Sequence, residues 1–147
     1  MDVILIAAIT LDGFMARKSN EIITWSKDLK LFKEQTMGFP VIMGSNTQET
    51  LAVDLKGREK VVVHRGDSPE KILCKLKNEK CFVIGGGMTN SKFAKYLTHL
   101  FITPHPLIFG EGIKLFTDLK IDSELEFLRK VTVDIDQGIY QYQYLVK

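Results

Sequence analysis

The sequence predicts an α/β fold: a mixed, mostly parallel sheet with helices on both faces and an antiparallel hairpin at the C-terminal end. Three observations carry this. Val3–Ile9 is an unbroken apolar run, the pattern of a strand covered on both faces. Val41–Met43, Val61–Val63 and Cys81–Ile84 are shorter apolar runs, each followed by a polar or Gly-rich turn and then a helical pattern. Arg129–Ile135 and Ile139–Val146 flank Asp136-Gln137-Gly138, where a hairpin bulge wants a glycine at positive φ.

The helices follow from their start signals. Ser26 is placed to cap a helix carrying Leu29 and Phe32, and Asn46 with Glu49 three positions on resembles a capping box. Ser68-Pro69 is the clearest start, because proline suits the first helical position. A fourth helix is expected from about Asn90 to Tyr96. Beyond the strand Leu100–Thr103, Pro104, Pro106, Gly110 and Gly112 mark an irregular loop. In the last strand Tyr140, Tyr142, Tyr144 and Val146 alternate with Gln141 and Gln143, as in a half-exposed antiparallel strand. Those tyrosines could also form a homodimer face.

Composition narrows the classes of function. With 147 residues, 45% apolar and 26% charged, the chain suits one globular domain spanning 1–147. A net charge of +2, from 20 basic and 18 acidic residues dispersed along the chain, provides no basic block, so no nucleic-acid partner is expected. Val3–Leu11 is too short to span a bilayer and lacks the basic flank of a signal peptide. The expectation is therefore no membrane partner and a cytoplasmic location. Cys74 and Cys81 read as reduced thiols, and His64, His99 and His105 lack metal-ligand spacing, so no metal is expected.

Ligands of such a sheet gather at the carboxyl ends of its strands. Gly44-Ser45-Asn46-Thr47, His64-Arg65-Gly66 and Gly85-Gly86-Gly87-Met88-Thr89 follow consecutive strands there. Taken singly, each is only a tight turn. Together they suggest a dinucleotide, since a glycine backbone can approach a phosphate that any Cβ would hold away. Asp28 is the acid to single out, close after Trp25 and beside Leu29 and Phe32. An acid in a helix's first turn ordinarily serves the dipole, worth roughly 0.3–1 kcal/mol. Aromatic neighbours could raise its pKa and suit it to delivering or relaying a proton.

At this point the residues resemble dihydrofolate reductase over nearly the whole chain. Asp28-Leu29-x-x-Phe32-Lys33, then Pro40–Gly44 and Thr47, resemble that family's catalytic helix and following strand; Leu55-x-Gly57-Arg58 resembles its tail-binding segment, and Val83–Gly87 its cofactor loop. The resemblance implies a dihydrofolate reductase-like three-layer fold. It implies Asp28 as the active-site acid, with Ile6, Ala7, Phe32 and Thr103 around a pterin and Arg58 on the folate tail. Ala8, Gly44, Ser45, Asn46, Thr47, His64, Arg65, Ile84, Gly85, Gly86, Gly87, Met88 and Thr89 would line an NADPH site. Ser45 stands where the typical reductase has arginine, so Arg65 would substitute on the 2′-phosphate. The segment between Asp12 and Asp28 is a little short near Trp25, so loop closure over the nicotinamide could differ.

The chain also resembles the reductase half of the riboflavin-biosynthesis deaminase/reductase. Thr10-Leu11-Asp12-Gly13 and Phe109-Gly110-Glu111-Gly112-Ile113-x-Leu115-Phe116 lean that way, whereas Ile6 replaces that branch's usual lysine and its Asp-Asp-Pro segment is missing after Thr47. Three readings stand: an NADPH-dependent reductase of 7,8-dihydrofolate, preferred; a 5-amino-6-(5-phosphoribosylamino)uracil reductase; and a nucleotide-binding protein without turnover. The first two take a small heterocyclic substrate.

Overall fold

A computed structural model of the chain describes residues 1–51 and 53–147. In chain order the elements are β1 Asp2–Thr10, β2 Phe14–Ala16, α1 Leu29–Thr36, β3 Val41–Gly44, α2 Ser45–Thr50, β4 Lys60–Val63, α3 Pro69–Lys75, β5 Lys80–Val83, α4 Gly87–Phe93 with a 3₁₀ turn Ala94–Tyr96, β6 His99–His105, β7 Ile113–Lys114, β8 Leu125–Asp134 and β9 Ile139–Val146. Among the described residues seven strands form one sheet, ordered β4-β3-β5-β1-β6-β9-β8. The pairings from β4 through β6 are parallel; β6–β9 and β9–β8 are antiparallel.

The apolar run of β1 is explained by its place in the middle of this sheet. Alternate side chains leave on opposite faces. Val3 and Leu5 join Val83, Phe93 and Leu97 in a core closed by Ile72 and Leu73 of α3. Ile4 and Ile6 pack with Phe82 against Phe32 of α1 on the other side. The result is three layers, helix over sheet over helix.

The helix starts depart from the sequence reading in instructive ways. Ser68 does cap α3, its Oγ accepting the Lys71 N–H at 3.3 Å, with Pro69 at the first helical position. Ser26, by contrast, lies outside α1; Asp28 takes the N-cap position, and among the described residues its side chain has no capping bond. The Asn46/Glu49 capping box does not form either. The Gly44 N–H is bound by the Gly85 carbonyl, β3 runs straight into α2, and Asn46 falls inside the helix, where its carbonyl accepts from the Thr50 hydroxyl. The fourth helix begins at Gly87 rather than near Asn90, because the Asn90 N–H already closes a turn onto the Gly86 carbonyl.

The C-terminal hairpin is longer than expected, its first strand beginning at Leu125 instead of Arg129 and ending at Asp134, with Gly138 at φ +68° in the link. Its alternation also runs opposite to hydrophobicity. Gln141 and Gln143 are 0% and 3% exposed, while the tyrosines between them are half-buried. The reason is a polar ladder under α1. Gln35 and Gln141 exchange two side-chain hydrogen bonds at 2.7 and 2.9 Å, Gln143 Nε2 donates to Gln141 Oε1 at 2.9 Å, and Arg129 Nε donates to Gln143 Oε1 at 2.9 Å. Buried amides are tolerated when paired in this way. The β2–β7 ribbon was not visible in the sequence pattern at all. Among the described residues no helix is long and apolar enough to cross a membrane, and no cluster of His, Cys, Asp and Glu could hold a metal.

Candidate active site

The carboxyl ends of the central strands open onto a cleft of about 1020 Å³. Ligand clefts usually occupy ~300–1,000 Å³, so this one lies at the large end of that range. Its middle is a glycine crest. The Gly44 N–H donates to the Gly85 carbonyl at 2.8 Å, joining the turns after β3 and β5, and the Gly85–Gly86 peptide is cis. Gly85 has φ +119°, a conformation that excludes other residues. Gly87 is needed for packing instead: a Cβ there would strike the Thr117 hydroxyl and come within 2.6 Å of the Lys114 carbonyl.

In the turn after β4 the backbone is already engaged. The His64 N–H is taken by the Asp67 carboxylate at 2.8 Å. Lys92 Nζ binds the carbonyls of His64 at 3.2 Å and Arg65 at 2.9 Å, so the turn is braced and holds the exposed Arg65 at the rim of the cleft.

At the apolar end, between Ile6, Ala7 and Phe32, lies Asp28. It starts α1 through its carbonyl, which accepts the Phe32 N–H at 2.9 Å, and the residue lines the cleft while being 7% exposed. Burial raises its pKa, opposed first by the His105 ring, then by its own backbone N–H and last by the Thr103 hydroxyl on β6. That hydroxyl does not reach hydrogen-bond geometry; among the described residues Thr103 Oγ1 is buried without a partner.

Every cofactor residue expected from the sequence lines this one cleft, as do Asp28, Ile6, Ala7 and Phe32. Thr103 and Arg58, also expected at the site, do not line it. Arg58 is anchored by Nη2 to the Asp54 carbonyl at 2.6 Å and by Nη1 to Thr36 Oγ1 at 3.2 Å, its guanidinium 5.9 Å from the Phe32 ring centre. Its Nε is buried without a partner among the described residues. Burial pushes the Cys81 thiol up to about 11, which removes it as a nucleophile at neutral pH.

Sequence reasoning missed Thr117–Ile121 of the wall altogether, and it placed the segment after Asp12 over the nicotinamide without naming Met15, Ala16 or the loop residues that line the cleft. The one local mark was Gly112, at φ +150°, where a Cβ would collide with the Ala16 backbone as β7 passes β2. The motifs that lean toward the riboflavin branch turn out to hold each other. Thr10 Oγ1 donates to Asp12 Oδ1 at 2.6 Å, and the Asp12 carboxylate accepts the N–H groups of Phe109 and Gly110.

A family model for dihydrofolate reductase matches residues 2–108. The chain belongs to the dihydrofolate reductase family. Among curated dihydrofolate reductases, the type 3 enzyme of Salmonella typhimurium is 31% identical over 113 residues, covering 67% of this chain and 68% of that one. The Bacillus subtilis dihydrofolate reductase is 32% identical over 88 residues, about half of either chain. Among solved structures, dihydrofolate reductase from Enterococcus faecalis, complexed with NADP(H) and RAB-propyl, superposes with a TM-score of 0.78 over 99% of this chain and 96% of that one, at 22% identity. A protein described as belonging to riboflavin biosynthesis, from Shewanella sp. PV-4, gives 0.67 over 100% and 99%, at 20% identity. Both structures share the fold. Family membership makes the chain a dihydrofolate reductase-like oxidoreductase, and the match ends just before the Gly110–Phe116 segment.

Proposed function

We propose that the chain reduces 7,8-dihydrofolate to tetrahydrofolate with NADPH. The observation that carries this reading is the placing of Asp28: a buried acid with a raised pKa at the apolar end of the cleft whose middle is the glycine crest. Reducing a carbon–nitrogen double bond needs hydride on carbon and a proton on nitrogen. A carboxyl kept from water retains that proton nearer to neutral pH than an ordinary aspartate.

The residues suit a dinucleotide. Gly85 and Gly86 present bare backbone, the nearest side-chain atom being Thr47 Oγ1 at 3.6 to 3.7 Å from where a Cβ would sit. A pyrophosphate can lie against them, with Ser45, Asn46 and Thr47 on one side and Met88 and Thr89 on the other. Arg65 and Ser45 would meet a 2′-phosphate, which predicts preference for NADPH over NADH. When bound, the cofactor supplies hydride; the protein aligns the two rings and keeps water out.

Arg58 supports folate in particular. Its guanidinium is held by Thr36 Oγ1 and the carbonyls of Asp54 and Lys56 and lies 5.9 Å from the ring centre of Phe32, which lines the cleft, so a carboxylate on the substrate's tail would pair with it beyond Phe32. The riboflavin-pathway reading retains the fold likeness and the loop motifs, but those motif residues are engaged with one another. The deciding experiment measures NADPH oxidation with dihydrofolate and, separately, with the aminouracil ribose phosphate. Turnover on dihydrofolate, with a Michaelis constant raised in Arg58→Ala, supports the proposal; turnover only on the ribosylamino substrate transfers the chain to the other branch; NADPH binding without oxidation of either would leave a nucleotide-binding protein.

A further inference from the structure

Asp28 occupies an N-cap position without using its side chain as a cap, so its carboxyl must be held in the cleft by other means. The backbone leading to it is held by His105, at the end of β6 and 1% exposed. His105 Nε2 accepts the Lys27 N–H at 2.9 Å, and Nδ1 lies 2.9 Å from the Thr103 carbonyl. Lys27 N–H can only donate and a carbonyl can only accept, so these partners together select the Nδ1–H tautomer. Trp25 packs edge-on against the ring at 5.2 Å, closing one side. The imidazole thus ties the residue before Asp28 to the backbone of Thr103, whose side chain stands beside the Asp28 carboxyl. Besides its own backbone N–H, the groups acting on that carboxyl are the His105 ring and the Thr103 hydroxyl, both from β6.

We propose that His105 is a positioning residue: its two hydrogen bonds clamp the backbone before Asp28 to β6 and thereby keep the acid turned into the cleft and dry. This rests on Asp28 being the acid of the proposed reductase. Nothing in the spacing of the histidines pointed to the role, because it depends on a bond between residues far apart in the chain.

The test compares His105→Gln, whose terminal oxygen can still accept the Lys27 N–H, with His105→Asn, which reaches only the Thr103 carbonyl. In the full-length protein, the Asp28 carboxyl is titrated by ¹³C NMR, and kcat and KM are measured with dihydrofolate. Both substitutions remove the ring's own lowering effect on Asp28, so the two variants are compared with each other: Asp28 should titrate about one pH unit lower in His105→Asn, where it is rehydrated, than in His105→Gln. The kcat of His105→Asn should fall on the order of tenfold to a hundredfold while its Kd for NADPH stays near wild type. His105→Gln should keep most of the turnover. Equal loss of turnover in the two variants, or equal Asp28 midpoints in them, overturns the proposal. If His105→Asn does not fold, ¹⁵N NMR of the wild-type ring decides: a neutral Nδ1–H tautomer with a protected Lys27 amide supports the clamp, and an Nε2–H tautomer overturns it. Absence of dihydrofolate turnover in the wild type would sink the reductase reading, while the titration comparison would still judge the clamp.

Discussion

The Asp12 carboxylate accepts the Gly110 N–H at 2.8 Å, linking the turn after β1 to the loop after β6. Through it the chain fixes Phe109, whose ring packs against Trp25 at 5.5 Å, and Trp25 packs in turn on the His105 ring. The Thr10 hydroxyl foremost, with the Gly110 and Phe109 N–H groups, holds the Asp12 carboxyl below the usual aspartate range.

A lowered folded pKa means that this tether is fully in place above about pH 3.9, the unfolded aspartate value, and is lost as pH falls through the folded one. Asp12→Ala should therefore remove protection from the Phe109 and Gly110 amides at neutral pH. Hydrogen exchange checks this, and protection unchanged from wild type would count against the tether.

For Asp28 the sign is reversed. Its folded pKa is raised, so the native state holds an extra proton, and stability declines as pH rises from the unfolded value through the folded one. Asp28→Asn should lower turnover near neutral pH by roughly 10² to 10⁴-fold. The same substitution should raise Tm at pH 7, with the advantage shrinking toward pH 3. Steady-state kinetics and calorimetry across pH measure both effects.

Gly44→Ala probes the crest. The new Cβ would come within 2.8 Å of the buried Thr89 hydroxyl and disturb the bond to Gly85. NADPH affinity should drop by about tenfold or more, equivalent to roughly 1.4 kcal/mol, with smaller change in dihydrofolate binding. Fluorescence titration of each ligand distinguishes the two.

Gln141→Met removes the centre of the buried ladder and strands the amides of Gln35 and Gln143. Urea denaturation should show a loss of about 1–3 kcal/mol. Adding Gln35→Met should recover part of it, because one stranded partner is then removed as well.

These cases show what a sequence can and cannot disclose. The β1 run was legible because a strand covered on both faces must be apolar throughout, and Ser68-Pro69 because its cap is local. The glycine crest was legible because φ +119° at Gly85 leaves no alternative residue. Gln141 and Gln143 were illegible: any hydropathy scale turns them outward, and only Gln35 and Arg129, distant in the chain or across the hairpin, make burial affordable. Asp28 was found by its neighbours, yet its freedom from capping depends on tertiary contacts. Thr117–Ile121 carry no pattern, since they reach the cleft only because β7 pairs with β2.

Hydride delivery across the cleft is tested most directly with NADPH deuterated at its transferable position, incubated with the protein and dihydrofolate, followed by mass spectrometry of the pterin. We expect tetrahydrofolate carrying one deuterium per molecule, formed at a rate that collapses in Asp28→Asn. Unlabelled dihydrofolate recovered beside intact NADPH would contradict the assignment.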